Sequence, residues 1–274
     1  MNDKIAMNAD ETRETVRSRY GAIAAGAASL CCTPKPAATS SCCGGGTSAP
    51  DEDELARRMG YGEADLAAVG DGANLGLGCG NPQVIADMKP GEVVVDLGSG
   101  AGFDCFLAAR QVGETGRAIG VDMTHEMLKK ARENTARLGL ANVEFRLGEI
   151  EHLPIADGTA DVVISNCVIN LSPDKPQVLR EAFRVLKSGG RVAVSDVVML
   201  KPLPPELAAR KELYSGCASG AATVEDLRTW LAEAGFTDIC IEPKPESREL
   251  IAEWAPGLGI EDCIASATIQ ARKP

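Results

Sequence analysis

Aromatic side chains are scarce in this 274-residue chain, at 4% of residues, so its core must be mainly aliphatic. Histidine is scarcer still, with two residues. Neither His125, beside an acid at a strand end, nor His152, in a loop, stands out as a base, which disfavours chemistry that needs an imidazole to take a proton. Positive charge is in deficit: 28 Lys and Arg against 39 Asp and Glu leave a net charge of -11. Proteins that grip a nucleic-acid backbone usually carry a basic face, so RNA and DNA are not the expected partners. No run of ~18 or more apolar residues is present, so no membrane span is expected. The first twenty residues, MNDKIAMNADETRETVRSRY, carry charges of both signs and do not read as a signal peptide. The reading is a cytoplasmic protein acting on a small molecule. The lack of long heptads or an apolar edge points to a monomer.

Cysteine, by contrast, is abundant, with ten residues. In a reducing compartment such cysteines are more often ligands or catalysts than disulfide partners, although several can pack as small hydrophobes. Cys105 and Cys240 are expected to do so, one in a helix and the other in a strand.

The chain divides into three stretches. Residues 1–69 read as a helical segment, with a helix at 8–29, a mobile Cys-rich arm at 31–50, and one or two short helices at 51–69. The arm holds Cys31, Cys32, Cys42 and Cys43 among Pro, Gly, Ser and Thr. Residues 70–200 alternate strands with helices. Strands are expected at 93–97, 118–122, 143–147, 161–166 and 191–198, and helices at 102–112, 124–138 and 173–187. Thr124 is placed to cap the second of these helices, and residues 187–190 (KSGG) to stop the third. Residues 201–274 add helices at 205–214 and 223–234 and strands at 237–242 and 264–271, completing a seven-stranded sheet. The fold class is α/β and Rossmann-like, a mostly parallel sheet covered by helices on both faces.

A glycine-rich turn, DLGSGAG at 96–102, follows the first strand. Gly98 and Gly100 permit a tight turn and close backbone approach to a ligand. Asp96 sits at the strand end, where it can organise the turn and reach an amino-acid headgroup. Asp122 ends the next strand, about twenty residues on, where an acid accepts hydrogen bonds from both ribose hydroxyls. A dinucleotide site shares these features. The ordered set of Asp96–Gly102 including Ser99, then GVDM at 120–123, GEI at 148–150 and LKSGG at 186–190, resembles class I S-adenosylmethionine methyltransferases. That resemblance implies that Asp122 binds ribose, that Met123, Glu149 and Ile150 lie beside adenine, that Gly98 and Gly100 pass under the methionine part, and that Asn166 faces the transfer centre.

The acceptor is suggested by sulfur. Cys167 stands at the end of the fourth strand, where an acceptor should approach. Cys79 lies in the glycine-rich segment that precedes the first strand, and Cys217 follows the fifth. Ligands of open parallel sheets sit beyond the carboxyl ends of the strands, so these three thiols are placed to converge. Soft thiolates suit soft ions. Pyramidal trivalent arsenic takes three sulfurs and keeps a lone pair that can attack a sulfonium methyl group without a general base, leaving positioning as the main catalytic task.

At this point the chain resembles the arsenite methyltransferase family. The matches are VRSRYGA at 16–22, CGNP at 79–82, Asp104-Cys105, VISNCVINL at 163–171, Cys217 in a Gly-Cys-small-small-Gly setting, and Cys263 before SAT at 266–268. The resemblance implies that Cys79, Cys167 and Cys217 hold arsenic, and that an arm cysteine, Cys42 or Cys43, delivers metalloid or forms a redox disulfide. It also implies arsenite or its glutathione conjugate as substrate, and glutathione or thioredoxin as the thiol reductant. Tyrosines that the family often carries before the first ligand are absent here, where residues 75–78 read LGLG. Two alternatives stay open: a C- or O-methyltransferase of a quinone-like or lipid-like molecule, and a non-catalytic arsenite-binding protein.

Overall fold

A computed structural model describes residues 8–26 and 51–274. The arm expected at 31–50, with Cys42 and Cys43, lies outside the described residues.

The chain opens with α1 (Ala9–Ala24), fixed at its start by a capping box in which Asn8 and Glu11 satisfy each other's backbone N–H groups. Two short helices, α2 (Glu52–Arg58) and α3 (Glu63–Val69), and a single turn, α4 (Gln83–Ala86), lead into the sheet. Then follow β1 (Val93–Leu97), α5 (Phe103–Val112), β2 (Arg117–Asp122), α6 (His125–Leu138), β3 (Val143–Leu147) and β4 (Ala160–Asn166). The chain continues through α7 (Lys175–Val185), β5 (Leu186–Met199), α8 (Pro205–Ala208), α9 (Lys211–Ser215), β6 (Ala222–Thr223) and α10 (Val224–Ala234). It ends with β7 (Thr237–Lys244), α11 (Arg248–Trp254) and β8 (Ile264–Arg272).

The strands lie in the order β3-β2-β1-β4-β5-β8-β7, with the two-residue β6 paired to β5. The first five are parallel to their neighbours, while β8 runs antiparallel between β5 and β7. Alternation along β1 sorts the core. Val95 and Leu97 face a layer formed with Val178, Leu179, Leu227 and Leu231 of α7 and α10. Val94 faces the opposite layer, with Phe106, Ala109 and Val112 of α5 and Leu128 of α6. Each such buried Leu or Val stabilises the fold by roughly 1.5–3 kcal/mol relative to exposure. A third apolar cluster brings Val16 of α1 together with Leu213, Ile251 and Ile260, and it contains Cys79, Cys167, Cys217 and Cys263.

Four local expectations are revised. Thr124 occupies the N-cap position of α6 without a side-chain cap bond; its N–H instead donates to Asp122 Oδ1 at 2.7 Å. The helix expected at 205–214 is broken into α8 and α9, because Arg210 takes an extended conformation (φ -79°, ψ 121°). Residues 187–190 do not merely end a helix but belong to β5, and α7 stops at Val185. Cys240 is exposed on β7, because that strand is the sheet's edge and a register irregularity between Thr237 and Cys240 turns it outward.

Candidate active site

The turn after β1 is shaped by three left-handed glycines, Gly98 (φ +69°), Gly100 (+52°) and Gly102 (+98°). Backbone N–H groups of Gly98 and Ser99 both donate to the Val121 carbonyl, at 2.8 and 3.0 Å, which ties the turn to the end of β2. A Cβ on Gly98 would stand 2.4 Å from the Val168 side chain, so the loop after β4 rests directly on this turn. That contact sets Cys167, the neighbour of Val168, beside the turn.

Above the turn lies a cavity of about 1080 Å³, mouth included. Asp96, Gly98, Ser99, Gly100, Asp122, Met123, Ile150, Asn166 and Cys167 line it. Asp122 accepts from the N–H of Gly100 (2.9 Å) and of Thr124 (2.7 Å), which fix its carboxylate at the cavity wall. Burial raises its pKa above the usual carboxylate range, against the pull of those N–H donors. Asp96 is raised further, by burial and then by the charge of Asp104. Glu149 does not line this cavity; it borders a neighbouring one and pairs with Arg13 (3.2 Å) and Arg17 (3.6 Å) of α1.

The structure therefore fits a cofactor with a cationic amino-acid end and a ribose. The hydroxyl of Ser99 is buried without a hydrogen-bond partner, and Asp96 and Asp104 are two buried carboxylates at the turn with no ion-paired cation among the described residues. An unpaired buried charge is costly, and a bound ammonium and hydroxyls would relieve it.

The three thiols come together. Cys79, Cys167 and Cys217 are all buried in one cluster, and the sulfurs of Cys79 and Cys167 lie within 4.8 Å of each other. Cys217 Sγ donates to the Cys167 carbonyl at 2.9 Å. Cys167 and Cys217 have φ of 60° and 64°, a left-handed conformation that costs a non-glycine residue about 1–2 kcal/mol. Cys79 is placed by Asn166, whose Oδ1 accepts its N–H at 3.1 Å while Nδ2 donates to the Gly80 carbonyl at 2.7 Å. Burial pushes the Cys79 thiol up to about 11. Cys167 is raised well above the usual value, first by burial, and Cys217 first by its bond with Cys167 and then by burial. All three are neutral thiols at pH 7.

Several lining residues escape a reading of the sequence. Arg13, Val16 and Tyr20 of α1 roof the cavity. Tyr20 packs against both the thiol cluster and the Leu75, Leu77 and Met127 wall, so α1 supplies an aromatic ring where the segment before Cys79 has none. Asp104 accepts from Tyr61 Oη (2.8 Å) and Gln83 Nε2 (2.9 Å), and Tyr61 in turn accepts from Asn166 (3.0 Å). Glu151, one position past Ile150, is buried and accepts from Ser172 at 2.7 Å. Asp196 is buried beside the thiols; its one sequence signal is a charge inside the apolar run of β5. His125 and His152 are both exposed and neither lines the cavity.

Comparison with known proteins gives the same picture. Residues 88–235 match a methyltransferase domain family. An arsenite methyltransferase of Halobacterium salinarum is 52% identical, over all of this chain and 70% of that protein. Arsenite methyltransferases of Aquipseudomonas alcaligenes and Homo sapiens are 47% and 40% identical over 59% and 58% of the chain, which spans 48% and 44% of their lengths. Among solved structures, an arsenic(III) S-adenosylmethionine methyltransferase from Chlamydomonas reinhardtii superposes with a TM-score of 0.59 at 33% identity, covering 83% of this chain and 75% of that one. A phosphoethanolamine N-methyltransferase from Haemonchus contortus, at 20% identity and a TM-score of 0.60, shares the fold.

Proposed function

This chain belongs to the arsenite methyltransferase family, and from that membership we propose that it transfers methyl groups from S-adenosylmethionine to trivalent arsenic held by Cys79, Cys167 and Cys217, detoxifying arsenic in the cytoplasm. The observation that carries the reading is the meeting of three buried thiols, drawn from segments far apart in sequence, beside the glycine-turn cavity.

The neutral state of the thiols suits the substrate. Arsenite is As(OH)3 near neutral pH, and its exchange with three thiols gives an arsenic tris-thiolate and three waters, with each thiol proton leaving on a hydroxide. Exchange from a glutathione conjugate returns three glutathione thiols in the same way. No protein base is consumed, which agrees with two histidines that both face solvent.

Asp122 would hold the ribose hydroxyls, Met123 and Ile150 the adenine, and Asp96 and Ser99 the amino-acid end, over the backbone of Gly98 and Gly100. When bound, S-adenosylmethionine supplies an electrophilic methyl group on a sulfonium sulfur, which the arsenic lone pair can accept without deprotonation. The protein's own contribution is placement. Asn166 fixes Cys79, the Val168 contact with Gly98 fixes Cys167, and Tyr20 with Val16 keeps water from the space between. Glu149 orders α1 through Arg13 and Arg17 at the rim of the adenine side.

We read the chain as a monomer built of an N-terminal helical segment (1–69), a cofactor domain (70–200) and a C-terminal part (201–274) that completes the sheet and the thiol site. Glutathione or thioredoxin would restore reduced cysteines, and Cys42 or Cys43 would deliver arsenic or pair in a redox disulfide.

The test is mass spectrometry of products formed from arsenite, S-adenosylmethionine and glutathione. Methylated arsenicals are expected from the wild type and none from Cys167→Ser, with cofactor binding retained. Full activity in Cys167→Ser would end the arsenic assignment and favour a carbon or oxygen acceptor.

A further inference from the structure

Arsenic(III) needs three sulfur donors, but the pocket offers a fourth donor. The ligand atoms of Cys79, Cys167 and Asp196 all lie within 4.8 Å of one another, and each residue is buried. Cys217 stands outside this group, its Sγ donating to the Cys167 carbonyl at 2.9 Å. Asp196 Oδ1 accepts from Asn170 Nδ2 (2.8 Å) and the N–H of Val197 (2.8 Å), and Oδ2 accepts from the N–H of Ile169 (3.0 Å). Those three donors hold the side chain in place. The charge itself has no salt-bridge partner among the described residues, although Lys175 lies near enough to be felt.

A pyramidal arsenic centre, whose fourth direction is a lone pair, makes no use of this carboxylate. A tetrahedral cation would. Two sulfurs and one oxygen, with a fourth position left for water, are a donor set for a thiophilic d10 ion. With Zn–S bonds of ~2.3 Å, a tetrahedron sets its donors about 3.7 Å apart, so atoms already within 4.8 Å have on the order of 1 Å to travel.

We propose that Cys79, Cys167 and Asp196 form a three-ligand site, its fourth position open to water, for a thiophilic divalent cation, Zn2+ or Cd2+, which occupies these thiols in competition with arsenite. This rests on the reading of the three thiols as the arsenic ligands, and it makes Asp196 the residue that separates the two kinds of ligand. Binding of the cation releases the ligating thiols' protons to water, whereas arsenite exchange returns them as water.

The experiment is equilibrium dialysis of the reduced full chain, with Cys31, Cys32, Cys42 and Cys43 changed to serine so that the arm binds nothing. Zn2+ alone and arsenite alone are the probes, and bound element is measured by mass spectrometry. One zinc per chain, displaced by arsenite, is expected. Asp196→Asn should weaken zinc at least tenfold and leave arsenite affinity within about twofold. Zinc binding that ignores Asp196→Asn, or zinc and arsenite bound together, overturns the proposal. A variant that loses both ligands overturns it too, since Asp196 would then be supporting the thiols rather than selecting between ligands. Arsenite binding that survives Cys167→Ser would instead sink the arsenic-ligand reading, and the zinc result would be judged by itself.

Discussion

The cofactor half and the thiol half of the cavity are built by opposite means. The cofactor half is floored by local structure: one turn, 96–102, and the ends of two neighbouring strands, locked by backbone N–H groups, with Ile150 and α1 closing over it. The thiol half comes from three segments that only the folded chain brings together, and two of its three cysteines sit in a disfavoured backbone conformation. A site made of local turns tolerates changes elsewhere in the molecule, whereas one assembled from distant segments depends on the whole sheet.

Four experiments break or sharpen that contrast. The largest effect is expected at the thiols. Serine at 79, 167 or 217 should lower arsenite methylation by ~100-fold or more, because misplaced reactants cost at least that much. S-adenosylmethionine affinity, by calorimetric titration, should stay within a few-fold, and a parallel fall would show that the halves are one unit. Asp122→Ala is the converse. Loss of two charge-assisted hydrogen bonds at ~1.5–3 kcal/mol each should weaken the cofactor by ~100-fold or more while arsenite still binds.

Gly98→Ala attacks the seam. Its φ of +69° and the 2.4 Å approach to Val168 leave no room for a methyl group. A loss of about 2 kcal/mol in urea unfolding is expected, with weaker binding of both ligands, as the Cys167 loop is pushed away.

The smallest effect belongs to a support behind the cofactor wall. Glu181 takes two bonds from Arg184 (2.6 and 2.7 Å) and the N–H of Leu153 (2.7 Å). Its pKa is held below the ordinary 4.5, by Arg184 first. A lowered folded-state pKa gives stability that is complete above 4.5 and lost as pH falls through the lower value. Glu181→Gln should therefore cost about 1–2 kcal/mol at pH 7, and the gap from wild type should close as pH falls through the lowered pKa of Glu181. A gap that stays constant with pH would show the contact to be packing rather than charge.

The same contrast decides what the sequence reveals. Asp96, Gly98 and Asp122 are legible because turn chemistry and strand ends are local. Cys167 is legible because strand ends converge in this topology, and Cys79 and Cys217 because their flanking glycines mark loops on that side. The roof is illegible: nothing in residues 9–24 says that Tyr20 and Arg13 reach a cavity whose floor begins at 96. Glu149 and Glu151 both sit near Ile150 and both pair with Arg13 of α1, and only the turn's twist buries Glu151 against Ser172. The outward face of Cys240 depends on a register irregularity, which no alternation pattern discloses.

The left-handed backbone at Cys167 and Cys217 has a further consequence. Glycine is the residue that this geometry favours, and relief of ~1–2 kcal/mol of strain is comparable to the burial lost with one small side chain. A Cys167→Gly protein should fold, express and melt much like its parent while being chemically inert. Screens that score abundance or melting temperature would pass such a variant as healthy, and damage at these two positions would surface only when arsenic is present.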